Sequence, residues 1–114
     1  MNLQESIRRI LREETKINTF IRRRVPIDDL EREFSESLEM SSNMLRNTNK
    51  EGGGVMSLNR FTDITISILI DWIYYELYST MPDDYQWYDE VQENLKEYYR
   101  GRIEDKYRKL MSEI

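Results

Sequence analysis

One stretch of this chain, residues 61–78 (FTDITISILIDWIYYELY), constrains the fold more than any other. Isoleucine, leucine, tryptophan or tyrosine fills positions 64, 66, 68, 69, 70, 72, 73, 74, 75 and 77, and Tyr78 closes the run. The remainder of the chain is heavily charged, so it has to bury this segment. Isoleucines at 64, 66, 68 and 70, with Thr65 and Ser67 between them, alternate as a β-branched strand does. Against a strand, residues 57–80 run without glycine or proline, far beyond ordinary strand length. As a helix, Leu58, Phe61, Thr65, Ile68, Trp72 and Tyr75 share one face, and Asp63, Ser67 and Asp71 form a narrow polar stripe. A helix apolar nearly all round is a buried one. The length argument favours a central buried helix over about 57–80, with a strand at 64–70 as the competing reading.

The flanking segments supply faces to cover it. Residues 2–14 predict an amphipathic helix with Leu3, Ile7, Ile10 and Leu11 on one side. At about three turns it is marginal in isolation and needs a surface to dock on. Residues 17–25 read as a linker or short extended segment, given their Thr, Asn and Ile content and the restriction Pro26 places on Val25. A second helix is expected over 28–47. Asp28 and Glu31 resemble a capping box, and Leu30, Phe34, Leu38 and Leu45 form the buried face, with Ser41 at the intervening position. Glu31, Glu33, Glu36 and Glu39 are expected to point mostly to water. Residues 47–56, with three consecutive glycines, form a flexible loop.

After the Met81-Pro82 stop, Asp83 with Gln86 suits a helix start. Residues 84–113 then carry the clearest periodicity: Tyr88, Val91, Leu95, Tyr99, Ile103, Tyr107, Leu110 and Ile114 recur every three or four positions. Acidic residues crowd the beginning of this helix and basic residues its end, as the helix dipole favours. Gly101, unfavourable inside a helix, marks a candidate close helix crossing. These elements predict an all-α fold: a small helical bundle in a single domain spanning 1–114, with a basic N-terminal arm at 1–26.

Composition excludes several functions. The chain has no cysteine and no histidine, which removes disulfides, most nucleophile–base pairs and most transition-metal sites. It has no glycine loop with the spacing that cradles phosphate, because residues 52–54 lack the following Lys-Ser/Thr. Asp63 and Asp71, two helical turns apart, are the one candidate carboxylate pair for catalysis or a hard cation. Their structural reading, as partners of Arg22, Arg23 or Arg24 or as caps, is favoured. No enzyme activity, cofactor or metal is expected. Asp71 and Glu76 interrupt a central stretch already too short to span a membrane, and arginines break every short apolar run near the N-terminus. An intracellular protein is expected, neither secreted nor membrane-bound.

Charge is distributed unevenly. Residues 1–26 carry seven basic and three acidic side chains, a balance of +4, whereas residues 27–114 balance at −9. The basic arm is expected to pack on the acidic body or to meet an acidic partner. Arg22, Arg23 and Arg24, beside Phe20, are the candidate contact; nucleic acid is disfavoured by the acidic body. The aromatic residues around the Met81-Pro82 turn include Tyr85 and Trp87, candidates for an exposed binding patch, although hinge packing explains most of the cluster.

The opening MNLQESIRRILREE resembles the N-terminal leaders of small proteins of tailed phages, including marine ones. In some such proteins the leader targets them into the prohead, where a protease cuts after a Leu/Ile-x-Glu tripeptide. Leu11, Arg12 and Glu13 match that tripeptide, and FIRRRVPIDDLEREFSESLE is similar to the body of these proteins. The resemblance implies a phage accessory protein, in host cytoplasm or virion interior, that acts by binding another protein as a monomer or homodimer. Its N-terminal helix would be the docking or capsid-targeting segment. The competing reading is an acidic helical regulator or inhibitor of a host protein.

Overall fold

The computed structural model describes residues 16–50, 52, 54–77 and 85–113, the side chains of 85–87 excepted. Among them are four helices and no strand: α1 (Thr19–Arg24), α2 (Ile27–Lys50), α3 (Leu58–Glu76) and α4 (Tyr85–Glu113). The expected all-α class stands, and residues 64–70 are helical. The expected helix at 2–14, the Asp83 cap and the end of the central segment at 78–80 lie outside the described residues.

Local chemistry sets the helix limits. Within residues 17–25, expected as a linker or short extended segment, Thr19–Arg24 instead form α1. The Asn18 side chain accepts the Phe20 backbone N–H at 2.9 Å and starts the helix. Ile17, Ile21 and Val25, four residues apart, then bury on one side. That spacing outweighs the weak β preference of the composition. Val25 is extended, as the residue before a proline must be, and this break separates α1 from α2. The Pro26 carbonyl accepts the Leu30 N–H at 3.1 Å, so α2 begins one residue before Asp28, and Asp28 and Asp29 occupy its first turn rather than a cap. There they meet the positive end of the helix dipole. The second helix runs on to Lys50, so the loop is shorter than expected. Gly52 adopts φ +75° within it, a conformation glycine takes without penalty. Ser57 caps α3 by accepting the Arg60 N–H at 3.2 Å.

Three long helices make the body. Contacts of Glu31 with Arg102, Glu39 with Lys106 and Arg46 with Glu113 ascend together, so α2 and α4 run parallel. Between them α3 returns antiparallel and packs against both. Its inner face is Phe61, Thr65, Ile66, Leu69, Ile70 and Ile73, and α2 contributes Leu30, Phe34 and Leu45. The stripe expected on α4 is realised from Tyr88 to Leu110: Val91, Leu95, Tyr99, Ile103 and Leu110 are buried, with Tyr88 and Tyr107 packed against the core, and Ile114 lies outside the described residues. Each such side chain, fully buried, is worth about 1.5–3 kcal/mol.

Where α2 crosses α3, the buried residues are small. Ser37, Ser41, Ser42 and Thr65 are all buried, and Ser41 Oγ meets Thr65 Oγ1 at 2.6 Å. Their hydroxyls return to carbonyls of their own helices, Ser37 to Glu33 at 2.8 Å, Ser42 to Leu38 at 2.6 Å and Thr65 to Phe61 at 2.8 Å. The crossing is therefore polar and satisfied.

Two expectations need correction. The central helix is not covered nearly all round. Tyr75 is 80% exposed, and Arg60, Asp71 and Tyr74 also face outward. With three long helices, α2 and α4 together cover only one side of α3. Nor does Gly101 mark a crossing: it is exposed, and a Cβ built there meets nothing within 4 Å.

Candidate protein-binding surface

The short helix α1 presents Arg22, Arg23 and Arg24, and its placement follows from its anchors. Ile21 is fully buried and Ile17 and Val25 nearly so. The segment before the helix is pinned to α4: the Asn18 N–H donates to Asn94 Oδ1 at 2.6 Å, and Asn94 Nδ2 donates to the Lys16 carbonyl at 2.7 Å. With Ile21 and Val25 directed inward, the three guanidiniums in between are all exposed. Arg24 lies over the Phe20 ring, 3.9 Å from its centroid, and donates to the Phe20 carbonyl at 3.3 Å. A guanidinium stacked on an aromatic face loses little freedom and keeps its outer donors available.

The other cations of the body are mostly engaged. Arg32 meets Asp29, Arg46 meets Glu39 and Glu113, Lys96 meets Asp63 and Glu93, Arg100 meets Glu97, Arg102 meets Glu31, Lys106 meets Glu39, and Arg108 meets Asp105. Among the described residues, no carboxylate pairs with Arg22, Arg23 or Arg24. The expected packing of this part of the arm on the acidic body is therefore not realised by ion pairs there. Lys16, Lys50, Arg60 and Lys109 also lack a carboxylate partner among the described residues but are separated in the sequence, whereas the three arginines are contiguous.

The carboxylates singled out for chemistry do not converge. Asp63 accepts from Lys96 Nζ at 2.8 Å across the α3–α4 interface. Asp71 lies on the exposed side, about 12 Å further along the helix axis. Neither forms an ion pair with Arg22, Arg23 or Arg24. A groove of about 330 Å³ beside Asp63 is lined by Leu58, Asn59, Thr62, Glu93, Lys96, Glu97, Arg100 and Glu104, most of whose charges are already paired with one another. No group of three acidic side chains among the described residues is placed to hold a cation. Tyr85 and Trp87 open α4, but their side chains lie outside the described residues, as do Leu11, Arg12 and Glu13. No described helix is long and apolar enough to cross a membrane.

A cluster unforeseen in the sequence joins α2 to α4. Phe34 and Tyr99 stack with ring centroids 3.7 Å apart and planes inclined by 8°, and Tyr98 meets Tyr99 edge-on at 4.8 Å. The Arg102 guanidinium lies 5.2 Å from the Tyr99 ring and grips both oxygens of Glu31. The Tyr99 hydroxyl donates to the same carboxylate at 3.4 Å. Burial, reinforced by the negative charge of Glu31, pushes the Tyr99 hydroxyl well above the ordinary tyrosine range. The hydrogen bond to Glu31 raises the already high basicity of Arg102. Glu31 thus belongs to an interhelical contact, contrary to the expectation that it points to water. No spacing in the sequence signals this contact: in parallel helices Glu31, three residues before Phe34, and Arg102, three after Tyr99, step apart, and the long Arg102 side chain closes the gap by reaching back beside both rings.

Comparison with protein-family models, curated proteins and solved structures gives no match.

Proposed function

We propose that this is a binding protein rather than an enzyme, and that α1 offers Arg22, Arg23 and Arg24 to an acidic surface of another protein. The observation carrying this reading is the contrast in charge use: among the described residues, seven cations of the body pair with carboxylates, while three consecutive guanidiniums on α1 pair with none. A rigid fork of donors suits carboxylate groups. The net charge of −5 makes a polyanion as large as duplex DNA a poor partner, because the rest of the surface repels it. A phage accessory role, with cleavage after Glu13, is supported by the resemblance of the opening residues to prohead-directed leaders.

A fluorescent glutamate-rich peptide, titrated with the protein at low salt, tests the binding reading. Binding that weakens with added salt, and is lost in a variant with Arg22, Arg23 and Arg24 all changed to alanine, is expected. Equal binding by that variant, or stronger binding of a DNA duplex than of the peptide, contradicts it. N-terminal sequencing of the protein from purified particles checks the leader: a start at Glu14 is expected, and an intact Met1 removes that role.

A further inference from the structure

We infer that two copies of this chain pair through the outer face of α3, antiparallel about a two-fold axis. This surface is separate from α1, and its test does not depend on the arginine reading. The outer stripe of α3 runs Arg60, Ile64, Ser67, Ile68, Asp71 and Tyr75, at helical spacings of four, three, one, three and four. A helix side turned to water ordinarily carries charge and amide groups. Here two isoleucines only partly covered, and a tyrosine 80% exposed, occupy it. Exposed Met40 and Met44 add apolar surface on α2, away from the side on which Glu31, Glu39 and Arg46 meet α4.

The charge pattern identifies the occupant. Arg60 and Asp71 are exposed, opposite in sign and without an ion pair among the described residues. They bracket Ile64 and Ile68, about 16 Å apart along the axis. A two-fold contact is self-complementary, each residue meeting the residue that it is met by. Laying a second α3 antiparallel over this stripe places Arg60 of each copy against Asp71 of the other. The same register sets Ile64 against Ser67 and Ile68 of the partner, close to the axis. Both ends gain opposite charges and the centre buries apolar surface. A parallel pairing would instead set like charges together at each end, which disfavours it.

Sedimentation of the full chain over a range of concentrations tests the inference. A species of twice the 14.0 kDa chain mass is expected. Arg60→Glu and Asp71→Arg, each at an exposed position, should weaken it at least about tenfold. The combined variant R60E/D71R should restore dimerisation, because the symmetric pairs reform with signs exchanged. Since the chain has no cysteine, Ser67→Cys should give a single oxidative cross-link near the axis. A monomer mass throughout the range, or a combined variant no better than either single one, overturns the inference.

Discussion

Phe34 and Tyr99 lie face to face, centroids 3.7 Å apart and 8° from parallel, and join two helices that otherwise pack chiefly through α3. Both are buried, and Glu31 and Arg102 close over their edge. Phe34→Ala therefore removes a large ring from a site with little room to collapse. A loss of about 3–5 kcal/mol is expected, read as a shift in urea midpoint at unchanged slope.

Tyr99 also gives the protein a defined alkaline limit. Its hydroxyl ionises less readily when folded than in the open chain, because burial and Glu31 both oppose the phenolate. A folded-state pKa above the unfolded value means that the contribution is fully present below the ordinary tyrosine value of about 10 and is lost as pH rises beyond it. Tyr99→Phe should cost no more than about 1 kcal/mol at neutral pH, since the bond to Glu31 is long at 3.4 Å. The variant should unfold at higher pH than the parent. Melting temperature followed from pH 8 upward checks the order.

The α2–α3 crossing depends on size more than on its hydroxyls. Ser41→Ala leaves Thr65 still donating to the Phe61 carbonyl, so a loss of about 1 kcal/mol is expected. Ser41→Leu forces a larger side chain between two helices in contact and should cost more, about 1–3 kcal/mol or beyond. Equal losses in the two variants, measured by denaturant unfolding, would mean that the hydroxyl rather than the available space governs the site.

Gly101 offers the opposite sign. It is helical and exposed, and a Cβ there meets nothing within 4 Å. Gly101→Ala should stabilise the protein by about 0.5–1 kcal/mol, through helix propensity and a less disordered unfolded chain. A rise in melting temperature checks it.

Much of this architecture was legible in the sequence where a period persisted. The stripe of α4 from Tyr88 to Leu110 and the face of α2 through Leu30, Phe34 and Leu45 are periodic over enough turns to fix both helix type and buried side. On α3 the hydrophobic residues cover nearly every direction, so the pattern gave the helix by length but not the inward face. Only the positions of α2 and α4 decide that Ile73 is buried and Tyr75 is not. The short helix α1 was missed because six residues offer little periodicity, and its start depends on Asn94, far away in sequence. The same limitation hid the partners of Asp63 and Glu31, since both are supplied by α4. Conversely, the arginine triplet is legible as a basic run, but that no carboxylate among the described residues pairs with it follows only from the packing of the helices.

The central claim is that packing leaves the guanidiniums of Arg22, Arg23 and Arg24 open rather than spending them on the acidic body. The most direct measurement is the unfolding free energy of the variant with all three changed to alanine, at low and at high salt. A difference from the parent within about 0.5 kcal/mol, the same at both salt concentrations, is predicted, as for exposed side chains with no carboxylate partner among the described residues and one exposed contact, Arg24 on Phe20. A loss of more than about 1–2 kcal/mol at low salt that shrinks as salt is added would show the arginines paired within the chain, and would contradict the account.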